Sequence, residues 1–182
     1  MKQLNWATLG CGVIANELAH ALSKEGRTLY SVANRTHEKA VAFAQKYGIS
    51  KVYDNIDDVF YDPDVDIIYI STPHNTHINY LRKALSNGKH VLCEKSITLN
   101  IAELDEAVSL AKENNVILAE AMTIYHMPVY KKLNEIESEL NDARFLRCHQ
   151  SYLVNMNYVS EANDSFVLQN GDTVLIRAKS KR

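Results

Sequence analysis

The sequence Trp6-Ala7-Thr8-Leu9-Gly10-Cys11-Gly12-Val13-Ile14-Ala15 joins a short apolar strand to a turn with two glycines and the opening of a helix. Its spacing is G-x-G-x-x-A, and each small residue has a task in that setting. Gly10 permits the tight turn, Gly12 lets a pyrophosphate approach the backbone, and Ala15 lets helix and strand pack closely. Phosphate then rests on the helix N-terminus, where free N–H groups and the helix dipole favour an anion. Gly10, Gly12, Val13 and Ile14 are therefore candidate cofactor contacts. The same stretch also reads as a tight βα turn that binds nothing.

Up to about residue 120, short apolar β runs alternate with amphipathic helical stretches, the rhythm of a parallel sheet. Strands are predicted at Trp6–Leu9, Leu29–Ala33, Lys51–Tyr53, Ile67–Ser71, His90–Cys93 and Val116–Ala119. Ile67-Ile68-Tyr69-Ile70 has the unbroken apolar character of a strand buried on both faces. One helix is predicted from about Asn75 to Ser86, with Gly88 placed to end it. Another follows Asn100, where Asn100 and Glu103 pair as N-cap and N3 while Ile101, Leu104, Val108 and Ala111 repeat at helical spacing. The fold class is α/β, a doubly wound parallel sheet of the Rossmann type.

After about residue 143 the rhythm changes. Phe145–Cys148 reads as a short strand and Tyr152–Val154 as a short helical or turn segment. Phe166–Gln169 and Thr173–Ile176 flank Asn170-Gly171, which signals a β-hairpin with a type I′ turn and positive φ at both central residues. A charged helix across Tyr130–Leu140 carries the join. The expected domains are a dinucleotide-binding unit over 1–134 and an incomplete β-rich segment over 135–182.

Composition excludes several classes. Of 182 residues 46% are hydrophobic and 23% charged, with six Gly and three Pro, which is neither disordered nor collagen-like. Lys plus Arg number 20 against 22 Asp plus Glu, a net charge of -2, so no global basic field draws the chain to nucleic acid or anionic lipid. Cys11, Cys93 and Cys148 are odd in number, widely spaced and without a Cys-x-x-Cys pair. That argues against a disulfide framework and a metal site, and for a reducing, cytoplasmic setting. No export signal is expected, and no stretch approaches the roughly 18 apolar residues needed to cross a bilayer.

The second predicted strand ends Val32-Ala33-Asn34-Arg35, without the acid that an NAD-preferring site places about 20 residues beyond the glycines to grip the ribose hydroxyls. Arg35 offers a planar, bidentate partner for the 2′-phosphate of NADP, and the missing carboxylate removes the group that would repel it. NADP is the expected cofactor, with NAD as the alternative. In the bland reading Arg35 merely solvates a helix N-terminus.

Gly10-Cys11-Gly12-Val13-Ile14-Ala15, Ala33-Asn34-Arg35, Ser71-Thr72-Pro73-His74-Asn75-Thr76-His77, Gly88-Lys89-His90-Val91-Leu92-Cys93-Glu94-Lys95 and Ala119-Glu120-Ala121-Met122, in that order, resemble the glucose-fructose oxidoreductase, inositol dehydrogenase and MocA (Gfo/Idh/MocA) family. The resemblance covers about residues 1–134. It implies that Thr72, Pro73, His74 and Asn75 border the nicotinamide ribose, that His77 and Glu94 belong to the cofactor site, and that Lys95 stands beside the substrate. It also implies hydride transfer to or from a hydroxyl of a sugar, cyclitol or similar small molecule. Ser96 departs from the family, where many members carry Pro. Tyr125 and His126 lie where the family's substrate pocket begins.

By position alone Lys95 is a solvated charge, and His74 and His77 are polar residues at a helix start. The motif gives Lys95 a task. Hydride movement at a carbinol carbon requires a matching proton transfer at its oxygen, and a partly desolvated lysine beside a cationic nicotinamide has its pKa pushed down toward that use. The alternative is a lysine that only hydrogen-bonds the oxygen. Family members complete the substrate pocket with a following α/β domain, and nothing after residue 134 has the length for it. Nucleotide binding is expected to survive that loss and efficient turnover is not.

In its place, Phe145-Leu146-Arg147-Cys148-His149-Gln150-Ser151-Tyr152-Leu153-Val154-Asn155 and the hairpin through Asn170-Gly171 resemble the C-terminal half of a LytTR-type DNA-binding domain over 135–182. The resemblance implies that Gln150, Arg177 and Lys179 lie near DNA, with the weak, salt-sensitive affinity of a few phosphate contacts. Ala178 stands where many members keep a basic residue. Exposed strand edges in a half-module predict self-association. Three readings stand: a truncated NADP-dependent oxidoreductase, a nucleotide-binding module with a DNA-binding remnant, and a non-functional fusion of two half-genes.

Overall fold

A computed structural model of the chain describes residues 3–149 and 152–176, apart from the side chains of residues 124, 125 and 149. It divides into two compact units, Met1–Ala121 and Met122–Arg182.

The first unit holds six parallel strands, β1 (Trp6–Leu9), β2 (Ser31–Ala33), β3 (Lys51–Val52), β4 (Ile67–Ile70), β5 (His90–Cys93) and β6 (Leu118–Glu120). Their order in the sheet is β3-β2-β1-β4-β5-β6. The helices between them are α1 (Val13–Lys24), α2 (His37–Tyr47), the short α3 (Asp58–Tyr61), α4 (His77–Ser86) and α5 (Ile101–Glu113). This is the doubly wound order whose direction reverses between β1 and β4, so the ligand crevice is expected beyond the carboxyl ends of those two strands. One apolar layer joins Leu9, Ile68, Ile70, Leu81, Leu85 and Ala107, and a second joins Ala15, Ala19, Leu29, Val32 and Phe43. Ile68, Tyr69 and Ile70 are all buried, as a strand covered on both faces requires.

The predicted elements shift by a residue or two for local reasons. Asn100 caps α5 by accepting from the Glu103 N–H at 3.0 Å, and the Glu103 carboxylate reaches back to the Leu99 N–H at 3.1 Å. Asn115 takes φ 53° and the Val116 N–H returns to the Ala111 carbonyl at 2.9 Å. That turn holds Val116 back, so β6 begins at Leu118. A 3₁₀ turn over His74–Thr76 precedes α4, which starts at His77 rather than Asn75.

Beside β3 a buried carboxylate, Asp62, accepts from Lys51 at 2.6 Å, from the Tyr53 hydroxyl at 2.5 Å and from the Asp64 N–H at 2.9 Å. Burial pushes its pKa up, but the bonds from Lys51 and Tyr53 outweigh it and hold the carboxyl below its ordinary value. A carboxyl depressed in the folded state stabilises above its unfolded pKa, and that stabilisation is lost as pH falls through the folded value. The melting temperature is therefore expected to fall on acidification below about pH 4, and less steeply in Asp62→Asn, as read by circular dichroism.

The second unit contains α6 (Pro128–Leu140) and strands β7 (Phe145–His149), β8 (Tyr152–Asn155), β9 (Val159–Ala162), β10 (Ser165–Leu168) and β11 (Thr173–Leu175). β7 pairs with β8, and β9, β10 and β11 form a second antiparallel sheet. The core is small, with Cys148, Val154, Phe166 and Val174 at its centre. Arg147 of β7 donates to Asn134 at 2.8 Å and to Glu137 at 2.9 Å of α6, and its guanidinium lies over the Tyr130 ring.

Two expectations are corrected here. Tyr152–Val154 is strand rather than a helical or turn segment, because Leu146 pairs with Val154 and Phe145 with Asn155. A three-residue apolar run carries too little periodicity to tell the two apart. The hairpin is not type I′. The Gly171 N–H donates to the Leu168 carbonyl at 2.9 Å and the Leu168 N–H to the Asp172 carbonyl at 2.8 Å. That closes a three-residue loop, with positive φ at Gly171 (88°) and not at Asn170. The Asn170 side chain accepts from the Asp172 N–H at 3.1 Å, a local bond that suits the three-residue alternative.

Candidate functional site

The chain leaves β1 at Leu9 and turns sharply. Gly10 has φ 102°, its N–H donates to the Ala33 carbonyl at 2.8 Å, and its carbonyl accepts from the Thr8 hydroxyl at 3.0 Å. A Cβ at Gly10 would stand 2.9 Å from Ser71 Oγ and 3.1 Å from the Ser71 carbonyl oxygen. The turn is thus pressed against the chain leaving β4, and only glycine fits.

Gly12 is the opposite case. Among the described residues a Cβ there would meet nothing within 4 Å, and no side chain caps the helix it begins. The first N–H groups of α1 thus receive no bond from a capping side chain. Ala15 is completely buried beneath them, while Val13 is 75% exposed at the mouth beside the exposed Ile14. Of the two glycines, one closes the turn and the other leaves room above it.

A cavity of about 280 Å³ extends from this turn. Gly10, Gly12, Asn34, Arg35, Thr72 and Pro73, all expected at the site, line it. The Asn34 amide donates to the Thr36 carbonyl at 2.8 Å and folds the corner between β2 and α2, leaving Arg35 exposed at the rim. Lys39, Ile56, Ser71 and Tyr80 also line the cavity and were missed by sequence reasoning. Lys39 had a signal, since it follows Arg35 by four residues on the opening turn of α2. Ile56 and Tyr80 had none, because only the tertiary fold brings them here. Burial pushes the thiol of Cys11 up, and the charge of Lys39 opposes that.

Val13, Ile14, His74, Asn75, Glu94 and Lys95 lie outside this cavity but at the same edge of the sheet, where β1, β4 and β5 end. His74 and Asn75 are exposed; His77 is 1% exposed, with its two ring nitrogens 2.9 Å from the Ser96 carbonyl and 2.8 Å from the Thr72 carbonyl. The Tyr69 hydroxyl donates to one Glu94 oxygen at 2.5 Å, and the Lys95 N–H to the other at 3.3 Å. Burial and this carboxylate raise the Tyr69 hydroxyl well above its ordinary value, and burial pushes the neighbouring Cys93 thiol up to about 12. Lys95 itself is exposed, and its peptide bond to Ser96 is cis. His126 is an exposed residue in a 3₁₀ turn of the second unit. Gln150, Arg177, Lys179 and the Tyr125 side chain lie outside the described residues. Among the described residues no group of three or more His, Cys, Asp or Glu could hold a metal ion.

This geometry agrees with comparison to known proteins. Residues 4–122 match the model of an oxidoreductase family with an NAD-binding Rossmann fold, GFO_IDH_MocA. The chain belongs to the Gfo/Idh/MocA family. A trans-1,2-dihydrobenzene-1,2-diol dehydrogenase of Xenopus tropicalis is 34% identical over 147 residues, which is 78% of this chain and 44% of that protein. A 3-ketoreductase from Actinomadura kijaniata, solved in complex with NADP and TDP-benzene, superposes with a TM-score of 0.72 at 25% identity over 79% of this chain and 45% of its own. An NAD binding oxidoreductase from Klebsiella pneumoniae has the same fold, with a TM-score of 0.72 at 24% identity over 79% and 41% of the two chains. This family member thus spans about half the length of the relatives it matches.

A second model, the LytTr DNA-binding domain, matches residues 110–180. It shares 110–122 with the first match. That stretch holds the end of α5 and all of β6, a strand of the parallel sheet, so up to Ala121 it belongs to the Rossmann unit. Among the described residues no helix is long and apolar enough to cross a membrane.

Proposed function

We propose that the chain carries the cofactor half of a Gfo/Idh/MocA oxidoreductase, one that prefers NADP(H) and acts on a hydroxyl or carbonyl of a sugar, cyclitol or similar small molecule in the cytoplasm. The single observation behind this reading is the open space at Gly12 above an uncapped helix N-terminus, set against the closed contact at Gly10. The backbone there can seat a diphosphate, with Val13 and Ile14 at its mouth. Arg35, with Lys39 lining the same cavity, suits the extra phosphate of NADP. Thr72, Pro73, His74, Asn75 and Glu94 are assigned to the nicotinamide half. When bound, the cofactor supplies or takes the hydride. Lys95 holds or moves the proton on the substrate oxygen, and Glu94, tied to Tyr69, keeps the chain before it in place.

Titration followed by nicotinamide fluorescence is expected to show NADPH binding about tenfold or more tighter than NADH, in line with one charge-assisted contact. A preference for NADH would overturn the assignment of Arg35. With NADP and a panel of polyols, turnover is expected to be very slow because Lys95 is exposed to water. Whatever turnover remains should disappear in Lys95→Ala.

The match over residues 110–180 supports a second reading, in which the second unit touches DNA through Gln150, Arg177 and Lys179. Retardation of a duplex that weakens with added salt, and is lost on removal of residues 144–182, is the result this reading expects.

A further inference from the structure

We infer that His77 is a positioning residue: it ties the loop after β4 to the loop after β5 and so fixes where the nicotinamide half of the cofactor meets Lys95. The inference rests on the cofactor reading above. Thr72 lies two residues past the end of β4, and Ser96 three past the end of β5. The two strands are parallel neighbours, and the last ladder bond between them runs from the Glu94 N–H to the Ile70 carbonyl at 2.9 Å. Beyond that bond the sheet no longer sets the spacing. The His77 ring takes over there, with Nε2 at 2.8 Å from the Thr72 carbonyl and Nδ1 at 2.9 Å from the Ser96 carbonyl. Among the described residues no other hydrogen bond joins residues 71–76 to residues 95–99.

The ring suits this work because it is rigid, 1% exposed and set with one nitrogen toward each carbonyl; as a neutral imidazole it donates to one of them, and as an imidazolium to both. A hydroxyl, with its single O–H, can donate to only one of the two carbonyls. Lys95 is bracketed as a result. Its preceding residue Glu94 is held by the Tyr69 hydroxyl, the carbonyl of Ser96 by His77, and the N–H of Ile97 by Glu120 at 2.9 Å. The adenosine end of the cavity, at Asn34 and Arg35, has no bond to the ring. Loss of His77 should therefore be felt at one end of the cofactor only.

The test compares the full chain with His77→Leu, which fills the volume without the bonds, and His77→Gln, which keeps one of them. Each is titrated with NADPH and with 2′,5′-ADP, which carries the adenosine end alone, and each is melted. His77→Leu is expected to bind NADPH about tenfold more weakly, the scale of one or two lost hydrogen bonds, with 2′,5′-ADP affinity within about twofold of the parent. His77→Gln should fall between them. Equal losses for both ligands, no loss for either, or failure of both variants to fold would overturn the inference and make His77 an ordinary core residue. If the parent binds neither ligand, the cofactor reading falls with it; if the parent binds both and only the selective loss is missing, that reading stands.

Discussion

Gly10→Ala is expected to destabilise the dinucleotide-binding unit by about 3 kcal/mol, lowering its melting temperature by about 10 °C. Two costs add. The φ of 102° lies in a region that a residue with a Cβ avoids, which alone costs roughly 1–3 kcal/mol. The new Cβ would also stand 2.9 Å from Ser71 Oγ, 3.1 Å from the Ser71 carbonyl oxygen and 3.2 Å from its carbonyl carbon. The hydroxyl can rotate away, but the backbone cannot, because the Ser71 N–H is bonded to the Leu9 carbonyl at 2.9 Å. Relief therefore requires β1 and β4, the two central strands, to part at their carboxyl ends. Thermal melts by circular dichroism read the effect, and an unchanged melting temperature would mean that the turn is not packed against Ser71.

Arg35→Asp is expected to reverse the cofactor preference, shifting the ratio of NADPH to NADH affinity by about 100-fold. The guanidinium stands exposed at the rim of the cavity, so the bond proposed from it to a 2′-phosphate would be screened by solvent and salt. A carboxylate there changes the sign, repelling the 2′-phosphate of NADPH and accepting from the ribose hydroxyls of NADH. Lys39 lines the same cavity and keeps one positive charge in place. Removal of charge alone, in Arg35→Ala, should therefore cost less, about tenfold for NADPH. Parallel fluorescence titrations at two salt concentrations measure both variants. An unaltered ratio in Arg35→Asp would place the 2′-phosphate elsewhere.

Much of the Rossmann unit was legible because its signals are local. The paired glycines set the first turn, the run Ile67–Ile70 announces a central strand, and Asn100 with Glu103 marks a helix start that the structure reproduces atom for atom. What stayed hidden depends on distant contacts. Ser71 limits Gly10 across 61 positions of sequence, and Tyr80 and Ile56 reach the cavity only once α4 and the chain after β3 have packed. His77 shows the same limit from the other side. Its motif suggests a residue of the cofactor site, and the fold buries it between two loop carbonyls that the sequence does not announce. In the second unit, short strands and a core of four buried residues among those described leave little periodicity to read. There Tyr152–Val154 takes its conformation from pairing with β7, and the loop at Asn170-Gly171 gains a third member.

All of this turns on the space above Gly12 being a seat for phosphate. Gly12→Val separates that claim from stability, since φ -76° and ψ -168° suit any residue and its Cβ would touch nothing among the described residues. Titrated with NADPH beside the parent, the variant should melt within about 2 °C of it yet bind at least about tenfold more weakly, because the side chain fills the path by which a pyrophosphate reaches the helix N-terminus. Equal affinity in the two proteins would contradict the account.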